Sequence, residues 1–298
     1  MSTLARRRTT GLAESREFFA LLVSHVPALV GLVLLAAVAV IAATAPLLSL
    51  SDPAAFSGEV LAAPGAAGAP LGTDHLGRDM LSRIVWGART ALLVAVVSAG
   101  IAVVVGVVLG SIAGFFGGVV DDVLSRVFDV FLLLPAFFLL ILVVALFGQS
   151  LLLITVVIGL TTWPSSARIM RSQALSYRSR VFVEAARAAG AGPFYLLARH
   201  VVPNGIAPVI TNATILMGQA ILTEAGLSFL GLGDPNVVSW GRMIFDGRTY
   251  LDGGAWVSLV PGIAMLLTVV SLNLVGDGVS YAFAPQARRD PIVEEAAA

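Results

Sequence analysis

The sequence predicts an all-α integral membrane protein with six transmembrane helices. Two observations carry that prediction. Of the 298 residues, 58% are hydrophobic and only 12% are charged, whereas soluble domains are about one-quarter charged. The apolar residues also gather in runs of about 20 or more, the length a helix needs to cross the hydrocarbon core.

The remaining composition excludes several classes. Net charge is zero, so no basic surface for nucleic acid is expected. Cysteine is absent, which removes disulfide and thiolate chemistry. Lysine is absent too, all 18 basic residues being arginine. Without a P-loop lysine, a Walker-type ATP site on this chain is excluded.

The spans follow in order. The first run, 18–51, lacks Asp, Glu and Arg. Its Ala43-Thr44-Ala45 fits a signal-cleavage pattern, but its apolar core exceeds the roughly 7–15 residues of a signal peptide. A retained first span is expected. The second run is 90–120. The third, 130–167, has 38 residues; as one helix it would reach about 57 Å, nearly twice the core thickness of about 30 Å. It should fold back at Gly148-Gln149-Ser150. Runs 200–223 and 253–276 complete six spans.

Six spans put both termini on one side, and the arginines decide which. Five of them, Arg78, Arg83, Arg89, Arg242 and Arg248, fall on one set of alternating segments, and the other thirteen of the 18 fall on the opposite set. Both termini are therefore expected in the cytoplasm. The organisation reads as a cytoplasmic segment 1–25, a first transmembrane helix 26–50, an external loop 51–89 carrying a surface helix, a five-helix core 90–285 and a cytoplasmic tail 286–298. The core includes a cytoplasmic loop 168–203 and an external loop 231–255.

Between the spans, Leu76, Met80, Leu81, Ile84 and Val85 share one helical face, with Asp74 as N-cap. This predicts a short helix lying on the outer surface. Asp74, His75 and Asp79 match no strong metal spacing, so capping and surface charge are the expected roles. Asp121, Asp122 and Arg126 read as a short inside turn. Loop 231–255, with its glycines and Pro235, reads as irregular. Gly106, Gly110 and Gly114 form a ladder that lets helices approach closely in lipid, either within this chain or against a partner.

Little catalytic chemistry is available. Glu224 lies towards the outer end of the fifth span, and Asp129 and Asp277 lie near inner ends. None sits at mid-depth, which argues against an ion-coupled carrier. Glu224 is expected to be a hydrogen-bonding structural group. His25, His75 and His200 are scattered, and Ser228 lacks the nucleophile-elbow context. Neither a catalytic constellation nor a metal site is expected.

The stretch "VFVEAARAAGAGPFYLLARHVVPN", 181–204, interrupts the apolar runs. It reads as two short helices. Ser179 is the N-cap of the first, Gly190 its left-handed end, Pro193 the first position of the second and Pro203 its terminator. Ala185, Ala186, Ala188 and Ala189 give it a low-relief surface, which by itself reads as a stable, polar-facing alanine helix.

Glu184-Ala185-Ala186, then three residues and Gly190, then Pro203, resemble the EAA loop of bacterial ABC-importer permeases. His200 and Val202 stand where that pattern has Ile and Leu. "RHVVPN" is similar to the variant of the dipeptide/oligopeptide/nickel subfamily. So are "LGTDHLGRD", "LSFLGLG" followed by "SWG", and Gly276-Asp277-Gly278. Together these cover roughly 71–285, and the chain resembles the second, C-type subunit of that subfamily. It departs from the tail pattern at Ser280, Tyr281 and Ala284.

The resemblance implies a type I ABC-importer permease in the cytoplasmic (inner) membrane. It implies pairing with a homologous permease subunit, two ATPase domains or subunits that hold ATP and Mg, and an external substrate-binding protein. No cofactor would be bound by this chain. Glu184, Ala185, Ala186, Gly190 and Pro203 would form the loop that couples to the ATPase. The implied substrates are dipeptides or oligopeptides. Nickel chelates or glutathione are the alternatives within the subfamily, and a stand-alone secondary carrier is the alternative outside it.

Overall fold

Small residues decide how these helices meet. Lipid tails are as apolar as leucine, so helices associate where their backbones can approach closely. The computed structural model describes residues 19–46, 52–56, 58–66 and 68–283. The stretch before residue 19 and the 286–298 tail, both expected in the cytoplasm, lie outside the described residues.

The elements are helical: α1 (Val26–Thr44), α2 (Met80–Phe116), α3 (Gly118–Leu133), α4 (Ala136–Phe147), α5 (Leu151–Tyr177), α6 (Val181–Ala188), α7 (Pro193–Leu196), α8 (Val202–Gly205), α9 (Ala207–Phe229), α10 (Trp240–Gly247), α11 (Leu251–Gly254) and α12 (Trp256–Phe283). A π turn, Leu197–Val201, joins α7 to α8, and a 3-10 turn, Arg248–Tyr250, joins α10 to α11. Four helices, α1, α2, α5 and α12, are long and apolar enough to cross a membrane singly. Two bent pairs bring the total to six if each pair is one span: α3 with α4, bent by 76°, and the α7–α8 segment with α9, bent by 60°.

Each bend has a local cause. Leu134 precedes Pro135, and proline excludes the residue before it from helix; Leu134 is extended at φ −70°, ψ 128°. Pro208 at the start of α9 cannot donate to the preceding turn. The third run does fold back where expected. Gly148 ends α4 at φ 92°, and α5 starts after Ser150.

Four expectations are corrected. The outer surface helix does not exist as a separate element: Met80–Phe116 is one helix of 37 residues. Asp79, not Asp74, caps it, accepting from the backbone N–H of Leu81 (3.4 Å) and Ser82 (2.8 Å). Gly87 does not break it, because the Trp240 indole ring fills the space where a side chain would stand. Asp121, Asp122 and Arg126 lie inside α3 rather than in a turn. The turn is Gly117-Gly118, at φ 69° and 56°, a conformation glycine takes without steric cost. Loop 231–255 is largely helical, holding α10 and α11; Ser239 starts α10 by accepting from Arg242 N–H at 3.2 Å.

The centre of the fold is α2 against α5. Ala88, Ala91, Ala95, Ala99, Ala102, Gly106, Gly110 and Gly114 form a buried seam of small residues along α2. A side chain at Gly106 would stand 2.5 Å from Ser166 Cβ, one at Gly110 would strike the Ala167 carbonyl, and one at Gly114 the Arg171 carbonyl. In the other direction, Gly159 of α5 meets Ile101 and the Ser98 carbonyl. The ladder thus lies against a helix of the same chain. Gly276 of α12 faces Thr214 of α9, while Gly31 of α1 rests on Ser271 and Leu274 of α12. Elsewhere, large apolar side chains such as Val104, Leu133, Phe138, Leu146 and Leu266 point outward, as a lipid-facing or partner-facing surface requires.

Candidate functional site

The stretch after α5 forms a knob at one end of the bundle. Arg178 donates from Nη1 to the Gly114 carbonyl at 3.4 Å, tying the end of α5 to the end of α2. Arg180, extended at φ −76°, ψ 143°, precedes α6 without a side-chain cap. Ser179, expected as the cap, instead donates to the Ser176 carbonyl, one turn back on the preceding helix.

One residue anchors α6. Val183 is fully buried in a cluster with Phe115, Ala174, Leu196, Leu197 and Val201, and Ala186 packs at its edge. Burying a valine contributes about 1.5–3 kcal/mol, enough to seat a helix too short to stand alone. The rest of α6 faces outward. Val181 is 82% exposed, and Phe182, Glu184, Ala185 and Ala188 are exposed as well. Glu184 sits in the first turn and Arg187 in the last, the arrangement the helix dipole favours.

Gly190 closes the helix at φ 88°. Its N–H donates to the Arg187 carbonyl at 3.0 Å, and the Ala191 N–H donates to the Ala186 carbonyl at 3.1 Å. These two bonds are the paired bonds of a Schellman ending. They fix the angle at which the chain leaves α6. Pro193 then begins α7.

Pro203 does not terminate the second helix, contrary to expectation. The chain stays helical through it because the π turn comes first: the Val202 N–H reaches back to the Leu197 carbonyl. That wider turn re-spaces the carbonyls before the proline arrives, as π bulges do in helices. Asn204 Nδ2 donates to the His200 carbonyl at 2.6 Å, capping a backbone acceptor in the same turn. Pro203 lies on the wall of a cavity of about 520 Å³ shared with Gln173, Tyr177, Asn204 and Ser280. Glu184, Ala185, Ala186 and Gly190 are therefore one unit, and Pro203 belongs to the next segment.

Exposed rings add to this surface. Phe194 is 71% exposed and lies 5.5 Å from the Phe116 ring, and Tyr195 stacks edge-on near His200 at 5.7 Å. Sequence periodicity did not single them out. The surface so formed consists of small, apolar and aromatic side chains around one exposed carboxylate. Among the described residues, no group of three or more His, Asp or Glu side chains is placed to hold a metal.

At the far end of α2 the other motifs do structural work. Trp240 Nε1 donates to the Ile84 carbonyl and Trp256 Nε1 to the Thr73 carbonyl, each at 3.1 Å. Glu224 is buried and accepts from Ser228 Oγ at 2.6 Å. Gly233 packs on Ser228 and Gly241 on Ala225, so "LSFLGLG" and "SWG" fold back on each other.

The family described as binding-protein-dependent transport system inner membrane component matches residues 106–289. The dipeptide transport system permease protein DppC of Alkalihalophilus pseudofirmus is 36% identical over 278 residues, covering 93% of this chain and 91% of that protein. The oligopeptide transport system permease protein OppC of Escherichia coli is 43% identical over 218 residues, covering 73% and 72%. The di/tripeptide transport system permease protein DppC of Pseudomonas aeruginosa is 36% identical, covering 91% and 92%.

Proposed function

This chain belongs to the family of binding-protein-dependent transport system inner membrane components, and from that premise we propose that it is a permease subunit of an ATP-driven importer of dipeptides or oligopeptides. It is a multi-pass membrane protein. With a homologous permease it forms the translocation pathway, and both its termini face the cytoplasm. An external binding protein delivers the substrate. ATP and Mg act on partner ATPase domains, in keeping with a chain that has no lysine.

The observation that carries this reading is the seating of α6. Its outward face is free for a partner, while Val183 packs against Phe115 and Ala174, which close α2 and α5. A displacement of α6 by an ATPase domain is passed to those two helices. The glycine ladder locks them together, so they move as one body. Rigid-body motion of packed elements is the common form of such transitions.

Peptides are favoured over nickel chelates or glutathione because the relatives above are named for peptide transport. The test is purification of the native complex from membranes. The chain should bring ATPase subunits with it. Once reconstituted with its binding protein, the complex should accumulate a labelled dipeptide only with ATP inside. A chain that purifies without any ATPase would overturn the coupling. Uptake of nickel chelate or glutathione but no peptide would replace the substrate.

A further inference from the structure

The end of the bundle opposite α6 holds a cavity of about 180 Å³ whose charged walls are Arg78, Arg83, Arg242 and Asp246, with His75 beside them. Counting Asp74 behind the wall, three guanidinium groups face two carboxylates. Both carboxylates are already engaged. Asp74 accepts from the N–H groups of Leu76 and Arg78 and from Arg78 Nε, and Asp246 accepts from Arg242 Nε at 3.2 Å.

Arg83 is left over. Its side chain is 4% exposed, yet its nearest carboxylate oxygens, on Asp74 and Asp246, are each 3.6 Å away, beyond hydrogen-bonding range. Its Nε has no hydrogen-bond partner, and neither does the buried Nδ1 of His75. A buried guanidinium whose ion pairs lack hydrogen bonds is only partly compensated for its lost hydration. It sits in a wall with one surplus positive charge, beside a space that can admit a ligand.

We infer that this cavity is a binding site for a single carboxylate group, held by Arg83, Arg78 and Arg242. A guanidinium fork matches a carboxylate in shape and charge. The volume is below the roughly 300 Å³ at which pockets enclose whole drug-sized ligands. It takes a carboxylate on a short arm: the C-terminus of a peptide or an acidic side chain of a docked protein. The site stands apart from α6, so its failure and the failure of the coupling reading are separable.

The test uses the purified permease complex and its thermal unfolding midpoint. Acetate and the dipeptide Ala-Ala should raise the midpoint at millimolar concentration, and sodium chloride at equal ionic strength should not. Ala-Ala amide, which lacks the carboxylate, should also fail. Arg242→Gln, at a partly exposed position, should weaken the acetate effect by about tenfold, the scale of one charge-assisted hydrogen bond.

The source is read from two further arms. Stronger protection by Ala-Ala than by acetate assigns the carboxylate to the substrate. Weaker docking of the binding protein to Arg242→Gln, equal with and without peptide, assigns it to that protein. Equal protection by chloride, or no protection by acetate or Ala-Ala together with unchanged docking, overturns the site. The wild-type measurements stand even if the variant does not fold.

Discussion

Gly110 of α2 lies directly against the backbone carbonyl of Ala167 in α5. No side chain fits between them: a Cβ at Gly110 would also come within 2.9 Å of the Ala167 Cα. The two helices therefore touch backbone to backbone, and Gly106 and Gly114 repeat the contact a turn to either side.

Gly110→Leu should force the helices apart. Overpacking of this kind costs about 1–3 kcal/mol, and more where backbone rather than a flexible side chain must move. Thermal unfolding in detergent should show a lower midpoint, with Gly110→Ala intermediate. The same leucine at Gly100, where nothing stands within 4 Å, should be tolerated. Equal stability of both leucine variants would show that the ladder carries no load.

Asp79 is the side-chain N-cap of the 37-residue α2. Asp79→Ala should destabilise by about 0.5–2 kcal/mol, and Asp79→Ser should recover most of that. Limited proteolysis near residue 80 reads it out. Cleavage unchanged in Asp79→Ala would mean that the loop contacts before Met80 hold the helix without the cap.

The local features of this chain were legible in the sequence. The turn at Gly148 and the left-handed Gly190 each follow from a residue type whose backbone preference is strong over three or four positions. Pro203 was misread because the rule for proline presumes an α ladder, and the preceding π turn changes that ladder. The surface helix was misread because the period of 76–85 shows a face but not where a helix continues. The convergence of Arg83, Arg242 and Asp246 on one cavity was beyond reach, since only tertiary packing brings α2 and α10 together. The alanine seam at 88, 91, 95, 99 and 102 has helical three- and four-residue spacing, yet alanine is so common in this chain that the spacing does not stand out from its background.

Topology is open to a direct check. Reporter fusions after Asp234 should score outside the cytoplasm and one after Tyr177 inside, as the arginine asymmetry requires. An inside score after Asp234 would reverse the orientation and place α6 on the wrong side for an ATPase.

The last prediction concerns Gly190. A Cβ there meets nothing within 4 Å, so a substitution is opposed by backbone conformation alone. At φ 88°, a β-branched residue should cost about 1–2 kcal/mol or more, glycine nearly nothing and asparagine an intermediate amount. Gly190→Val should loosen the Schellman ending and let α6 tilt or melt. The spans should be untouched, because the glycine ladder and the α1–α12 contact hold them without α6. Membrane insertion and pairing with the second permease should therefore be normal, while ATPase retention and uptake fall together. Glu184→Arg should give the same loss by a different route, reversing the charge in an intact, exposed first turn and opposing the helix dipole by only about 0.3–1 kcal/mol. Comparing the two separates shape from charge at the docking surface. If Gly190→Val and Glu184→Arg both keep wild-type ATPase retention and uptake, α6 is a solvent-facing alanine helix, and coupling runs through another part of this end of the bundle.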